Sequence, residues 1–172
     1  MIQKVVIAPD SFKGSLSARQ VADIIADAIV ADCPNCAVVR LPLADGGEGS
    51  LETIISSVGG TVEETRVLSA DGRQITASFG ITTDGQAILE LAQSSGITRQ
   101  IGLHPLTANT YGFGQLILHA LDLGLRNFFL CIGGSASTDG GCAMASALGV
   151  AFLDAEKIRF VPSGATLQRI AD

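Results

Sequence analysis

Carboxylates, hydroxyls and a lysine collect in three glycine-bearing stretches of the chain. The first, Asp10-Ser-Phe-Lys-Gly-Ser15, places Lys13 beside Asp10, Ser11 and Ser15, and the only other lysines are Lys4 and Lys157. The second, Asp45-Gly-Gly-Glu-Gly49, sets Asp45 and Glu48 around Gly46 and Gly47. The third runs Cys131-Ile-Gly-Gly-Ser-Ala-Ser-Thr-Asp-Gly-Gly-Cys142. Its glycines, Gly133, Gly134, Gly140 and Gly141, let the backbone come close to a ligand. Ser135, Ser137, Thr138 and the amides of a following helix offer donors to phosphate or carboxylate oxygens. Asp139 stands where a metal ion or a substrate hydroxyl would want a carboxylate. Amides and a lysine for anionic charge, with carboxylates for Mg²⁺ and an attacking hydroxyl, suit phosphoryl transfer. Plainer roles compete at each place: Lys13 as a solvated loop cation, Asp45 and Glu48 as helix-start residues, the glycine loop as a turn.

Other familiar chemistries fail letter by letter. No Gly-x4-Gly-Lys-Ser/Thr is present, Gly47-x-Gly49 lacks the third glycine of a dinucleotide fingerprint, and Gly133-Gly-Ser-Ala-Ser137 lacks the last glycine of a nucleophile elbow. Cys33-Pro-Asn-Cys36 has the spacing of a redox or zinc pair. It follows a helix and precedes a strand, the reverse of a thioredoxin-like context, and neither His104 nor His119 has a partner at ligand spacing.

Strands and helices must carry these loops. Lys4 to Ala8 reads as a central parallel strand, and Ser17 with Gln20 forms a capping box ahead of a helix with Val21, Ile24, Ile25, Ala28 and Ile29 on its buried face. Pro34 ends that helix, and a strand from Ala37 to Leu41 closes a βαβ unit. Ligands on such sheets bind beyond the strand carboxyl ends, which sets the first two loops on one rim. A second amphipathic helix carries Leu51, Ile54, Ile55 and Val58 and stops at Gly59-Gly60. The pattern then changes to a meander, Thr61 to Val67, Gln74 to Ile81 and Gln86 to Leu91, with turns at Asp71-Gly72 and Asp84-Gly85.

Beyond the meander, Ala92 to Leu106 reads as a polar loop. Asn109 or Thr110 caps a helix with Phe113, Leu116, Ile117, Ala120 and Leu121 inside. Phe128 to Ile132 reads as a buried strand, and a helix is expected from Gly140 to Leu148. The last residues suggest a short strand and a helix beginning at Leu167. The fold class is α/β: a Rossmann-like βαβα segment over residues 1–65, then part of a second, mixed α/β domain with an antiparallel meander over 66–172.

The 172 residues are 47% hydrophobic with a formal charge of −6, enough for a core and unsuited to nucleic acid. With no apolar run of membrane length and no signal-like start, a cytoplasmic protein with no membrane partner is expected.

Four blocks carry a resemblance: Ile7-Ala-Pro-Asp-Ser-Phe-Lys-Gly-Ser-Leu-Ser-Ala18, Leu41-Pro-Leu-Ala-Asp-Gly-Gly-Glu-Gly49, Thr110-Tyr-Gly-Phe-Gly-Gln-Leu116 and Ile132-Gly-Gly-Ser-Ala-Ser-Thr-Asp-Gly-Gly141. Together they resemble the bacterial glycerate kinases. The resemblance implies a two-domain α/β enzyme that uses ATP and Mg²⁺ to phosphorylate a hydroxyl of D-glycerate, giving 2-phosphoglycerate. By position it implies catalytic roles for Lys13, Asp45 and Asp139, metal contact for Asp45 and Glu48, and phosphate or substrate contact for the remaining loop residues. Ser137-Thr138 departs from the Thr-Asn expected there, and Cys142 replaces a smaller residue. The chain ends at a position resembling the family's midpoint, so it reads as truncated. A homodimer or a complementary C-terminal half is expected to cover the unpaired edge and apolar face this leaves. Two other readings stand beside it: a catalytically incomplete ligand-binding or association module, and a kinase of another small acid.

Overall fold

A computed structural model describes residues 3–171. The capping box at Ser17 forms as the sequence requires: Gln20 donates its amide to Ser17 Oγ at 3.2 Å, and Ser17 donates its own to Gln20 Oε1 at 2.8 Å. It opens α1 (Ala18–Asp32), which joins the parallel strands β1 (Lys4–Ile7) and β2 (Ala37–Arg40). These two strands make a sheet by themselves, so β1 is not the buried central strand its composition suggests, and Val6 is exposed. The inner face of α1 is also displaced. Ala22 and Ala26 pack on Ile7, with Ile29, Val5 and Val38 at the margin, while Ile24 and Ile25 lie exposed. A two-stranded sheet is narrow, and the small alanine stripe lets the helix approach it closely; the wider isoleucine stripe extends past its edge.

The larger unit is a four-stranded sheet in the order β3 (Gly60–Leu68), β4 (Gln74–Thr82), β5 (Gln86–Glu90), β6 (Asn127–Cys131). The first three strands are the expected antiparallel meander, and β6 adds to β5 in parallel. Helices pack on both faces of its central strands. Ala77, Phe79, Ala87 and Leu89 meet α4 (Tyr111–Asp122) through Phe113, Leu116, Ile117 and Ala120. On the other face α2 (Ser50–Val58) sits over Gly80, where a Cβ would come within 2.6 Å of Ile55 and 2.9 Å of Leu51. Period-two alternation in β4 and β5 therefore sends alternate residues into two separate helix contacts. The expected domain boundary after residue 65 falls inside β3, which pairs with β4 along its whole length.

Three local expectations change. Ala92 to Leu106 is not simply a polar loop: α3 (Ala92–Ser95) is a buried helical turn, followed by a 3₁₀ turn at Ile97–Arg99. Its serines are tolerated inside because the Ser94 hydroxyl bonds back to Leu91 O at 3.4 Å and meets the Ser95 hydroxyl at 3.3 Å. Strand β6 is not fully buried, since Phe129 and Leu130 are exposed and, among the described residues, it pairs with β5 alone. The glycine-rich loop ends in a helix of only six residues, α5 (Cys142–Ala147). The last segment forms a small hairpin, β7 (Phe152–Leu153) with β8 (Arg159–Phe160), and Leu167–Arg169 is a 3₁₀ turn. Among the described residues no helix is long and apolar enough to cross a membrane.

Candidate active site

Four loops follow the carboxyl ends of β1, β2, β5 and β6, and backbone hydrogen bonds join them in series. The amide of Leu43 donates to Pro9 O at 2.8 Å, tying the β2 loop to the β1 loop. The amide of Gly133 donates to Gly46 O at 2.8 Å, tying the β6 loop to the β2 loop. Leu91 N to Cys131 O, Ile97 N to Gly134 O and Ala136 N to Ser95 O, at 2.8, 3.0 and 2.9 Å, tie the β5 loop to the β6 loop. Gly133 has no side chain because none would fit: a Cβ there would lie 2.8 Å from both the Cα and the N of Gly47.

Within this frame the candidate residues separate into groups. Asp10, Ser11, Ser15 and Glu48 share a cavity of about 210 Å³ between the β1 loop, the start of α1 and the start of α2. Asp10 Oδ1 accepts from Ser11 N at 2.6 Å, and Glu48 Oε1 accepts the Thr98 hydroxyl at 2.6 Å. Asp45 opens on the other side of its loop, beside Gly46, Gly133 and the exposed end of β6, with Oδ1 accepting from Gly47 N at 2.8 Å. Lys13 is exposed, does not line that cavity, and has no ion-pair partner among the described residues. Ser135 and Ser137 hydroxyls meet at 2.9 Å, and Thr138 donates its hydroxyl to Pro105 O at 2.7 Å.

Asp139 differs most from its expected role. Its side chain is 1% exposed, and Oδ2 accepts from Thr110 N at 2.9 Å, Thr110 Oγ1 at 2.7 Å and Ala143 N at 3.3 Å, while Oδ1 accepts from Gly141 N at 3.3 Å. The Thr110 hydroxyl in turn accepts from Met144 N at 3.0 Å. The α5 amides expected to face a ligand are thus occupied from within, because a buried carboxylate must collect donors. Asp139 fastens the glycine loop to the start of α4. The Thr110 side chain accordingly bonds Asp139 and not its own helix, and Asn109 Oδ1 takes Tyr111 N at 3.0 Å.

One carboxylate escapes a reading by motif. Glu90, at the end of β5, is 1% exposed and accepts from Gly49 N at 3.2 Å and Leu51 N at 3.0 Å. Burial pushes its carboxyl above the ordinary range; the two amides oppose the rise, Glu48 adds to it and Arg99 reduces it. The signal for it is an acidic residue closing an otherwise apolar parallel strand, at the end where ligand loops begin. Cys131, its pairing neighbour on β6, is held above the usual thiol range by burial and by this charge.

Mg²⁺ commonly takes one or two carboxylates together with waters and phosphate oxygens. Asp45 and Glu48, both exposed, match that donor set in kind. Among the described residues no group of three His, Cys, Asp or Glu side chains is placed to hold a metal alone.

The glycerate kinase family model matches residues 5–172. The chain belongs to the glycerate kinase family. It is 42% identical over 170 residues to a glycerate kinase of Haemophilus influenzae, a match that covers 97% of this chain and 45% of that one. A glycerate 2-kinase of Escherichia coli K12 is 40% identical over 172 residues, covering 98% of this chain and 45% of the relative. The chain spans about half the length of the curated glycerate kinases it matches. A crystal structure described as a glycerate kinase 2 of Salmonella typhimurium LT2 superposes with a TM-score of 0.79 at 37% identity, over 100% of this chain and 47% of that one. The shared fold accounts for the mixed α/β architecture.

Proposed function

We propose that this chain supplies one wall of a cleft in which ATP phosphorylates a hydroxyl of D-glycerate, the product being 2-phosphoglycerate. What supports the reading is the backbone linkage of the Pro9, Gly46 and Gly133 loops, which gathers hydroxyls, glycines and exposed carboxylates beyond the strand ends of a family member. In the transfer the glycerate hydroxyl oxygen attacks the terminal phosphorus, the bond to the bridging oxygen breaks, and the hydroxyl proton passes to a carboxylate. Asp45 is assigned that contact; Asp45 and Glu48, which open on opposite sides of their loop, would each offer Mg²⁺ a separate carboxylate contact, and the ion when bound neutralises phosphate charge. Lys13, exposed on its loop, is assigned to phosphate or the glycerate carboxylate. Gly133, Gly134, Ser135 and Ser137 cradle the other anion, and Asp139 keeps their loop in place without touching it. Asp10, Ser11 and Ser15 close the cavity against Glu48.

A second reading is favoured by one observation. Leu41, Leu43, Val58, Leu130 and Ile132 are exposed along a groove beside Asp45. An apolar surface of this kind suits association with a second copy or with a chain equivalent to the rest of the family's length. On that reading the 172 residues bind ligand and partner without completing the reaction. The deciding experiment is ADP release by the purified chain with D-glycerate, ATP and Mg²⁺, against a no-glycerate control and Lys13→Ala. Glycerate-dependent turnover that Lys13→Ala abolishes supports the kinase reading. A folded sample that binds MgATP and turns nothing over supports the second.

A further inference from the structure

Helix α2 has no side-chain cap of its own. Its first position outside the helix is Gly49, in the left-handed region at φ 88°, and nothing on that residue can accept from the free amides of the first turn. Ser50 N is taken within the loop by Gly47 O at 3.2 Å, and the side-chain acceptors come from another element. Glu90, separated by 41 residues from Gly49 and 39 from Leu51, takes one amide on each carboxylate oxygen. Apolar burial alone would hold α2 on the sheet, since Leu51 and Ile55 already pack over Gly80. What two directed hydrogen bonds add is a fixed path for the chain entering the helix, and that path is the loop bearing Asp45 and Glu48.

The other ends of this loop are held by the same neighbourhood. Gly133 N bonds Gly46 O, and Thr98 bonds Glu48. Glu90 is paired in register with Cys131, two residues before Gly133, and the next amide, Leu91 N, bonds Cys131 O. One residue thus stands where the β2 loop and the β6 loop are both anchored. An ionised carboxylate there faces Glu48, a like charge, and is compensated by Arg99 and the two amides. A group buried against such opposition is costly unless its hydrogen bonds are kept.

We propose that Glu90 is a positioning residue for the cleft: gripping Gly49 and Leu51 from the end of β5, it sets where Asp45 and Glu48 stand relative to the Gly133–Gly134 turn. The proposal rests on the cleft reading above. The test measures backbone amide hydrogen exchange and MgATP binding by calorimetry on wild type, Glu90→Gln and Asp45→Ala. Loss of one charged acceptor is expected to speed exchange at residues 46–51 about tenfold, with α4 and β4 unchanged, and to weaken MgATP about tenfold. Unchanged exchange at 46–51 overturns the proposal, as does faster exchange spread over α4 and β4, which would make Glu90 a general packing residue. A loosened loop with MgATP affinity unchanged, in a wild type that binds, also overturns it. If wild type and Asp45→Ala alike fail to bind MgATP, the cleft reading fails, and the exchange pattern still decides whether Glu90 sets the loop. Should Glu90→Gln not fold, Glu90→Asp, too short to reach both amides, is read in its place by the same criteria.

Discussion

Gly133 and Gly47 touch through their backbones: the Gly133 amide bonds the carbonyl of Gly46, and the space a Gly133 side chain would occupy is taken by Gly47. Close backbone approach, and not a positive φ, is what demands glycine at 133. Gly133→Ala should therefore push the β2 and β6 loops apart at about 1–3 kcal/mol, the usual penalty of overpacking where no side chain can yield. Gly140 makes the comparison. It has φ 61° but nothing lies within 4 Å of where its Cβ would stand, so Gly140→Ala should cost only the backbone strain, about 1 kcal/mol. Urea unfolding of both variants checks the order, and MgATP binding should suffer only in the first.

Asp139 and Thr110 form a buried pair whose loss should be felt in stability before function. Asp139→Ala leaves Thr110 N, Thr110 Oγ1, Gly141 N and Ala143 N without their acceptor, at about 3 kcal/mol. Thr110→Val removes one donor to Asp139 and the acceptor of Met144 N. Because the two share a network, their double-mutant cycle should show a coupling of ~0.5–3 kcal/mol by chemical denaturation. Additive effects would contradict the assignment of Asp139 as the fastener of the glycine loop.

The pH dependence of stability should carry the signature of Glu90. Burial raises its folded-state pKa above the ordinary 4.5, so between the two values the folded chain holds more protons than the unfolded one, and stability falls as pH rises. The Glu90 contribution is fullest below the unfolded value and is withdrawn as pH climbs through the raised one. Asp154 has the opposite sign: amide donation from Ile158, with Arg169 and against burial, lowers it, so its stabilisation is present above 3.8 and lost as pH falls through the folded value. Urea titrations of wild type and Glu90→Gln between about pH 4.5 and pH 8 isolate the first effect. The variant should lack the decline that the wild type shows.

How far these features are legible in the sequence depends on what fixes each one. Local signals suffice for the Ser17–Gln20 box, the Asp71-Gly72 and Asp84-Gly85 turns and the stop at Gly59-Gly60, because each is settled within a few residues. They mislead on the α1 face, since Ile24 and Ile25 have the right spacing but the sheet beneath is only two strands wide. Ala92–Ser95 reads as polar because Ser94 and Ser95 satisfy their hydroxyls inside, which no periodicity records. The three loops are visible as motifs. Their internal arrangement is not: that Asp139 faces Thr110, and that Glu90 caps α2, are long-range pairings decided by strand register and not by neighbours in sequence.

Lys13 provides the sharpest separation of function from folding. Exposed and unpaired among the described residues, it has no ion pair to lose. Lys13→Ala should leave thermal and urea midpoints essentially unmoved, within ~0.5 kcal/mol. If its ammonium meets phosphate or the glycerate carboxylate, MgATP or glycerate binding should weaken by about tenfold or more, the scale of one charged contact, and the loss should shrink as salt screens the interaction. Lys13→Arg keeps the charge on a planar, differently hydrated head and should recover part of the binding. A Lys13→Ala variant that binds both ligands as tightly as wild type would remove the only lysine from the proposed cleft and leave its anion site to backbone amides and hydroxyls alone.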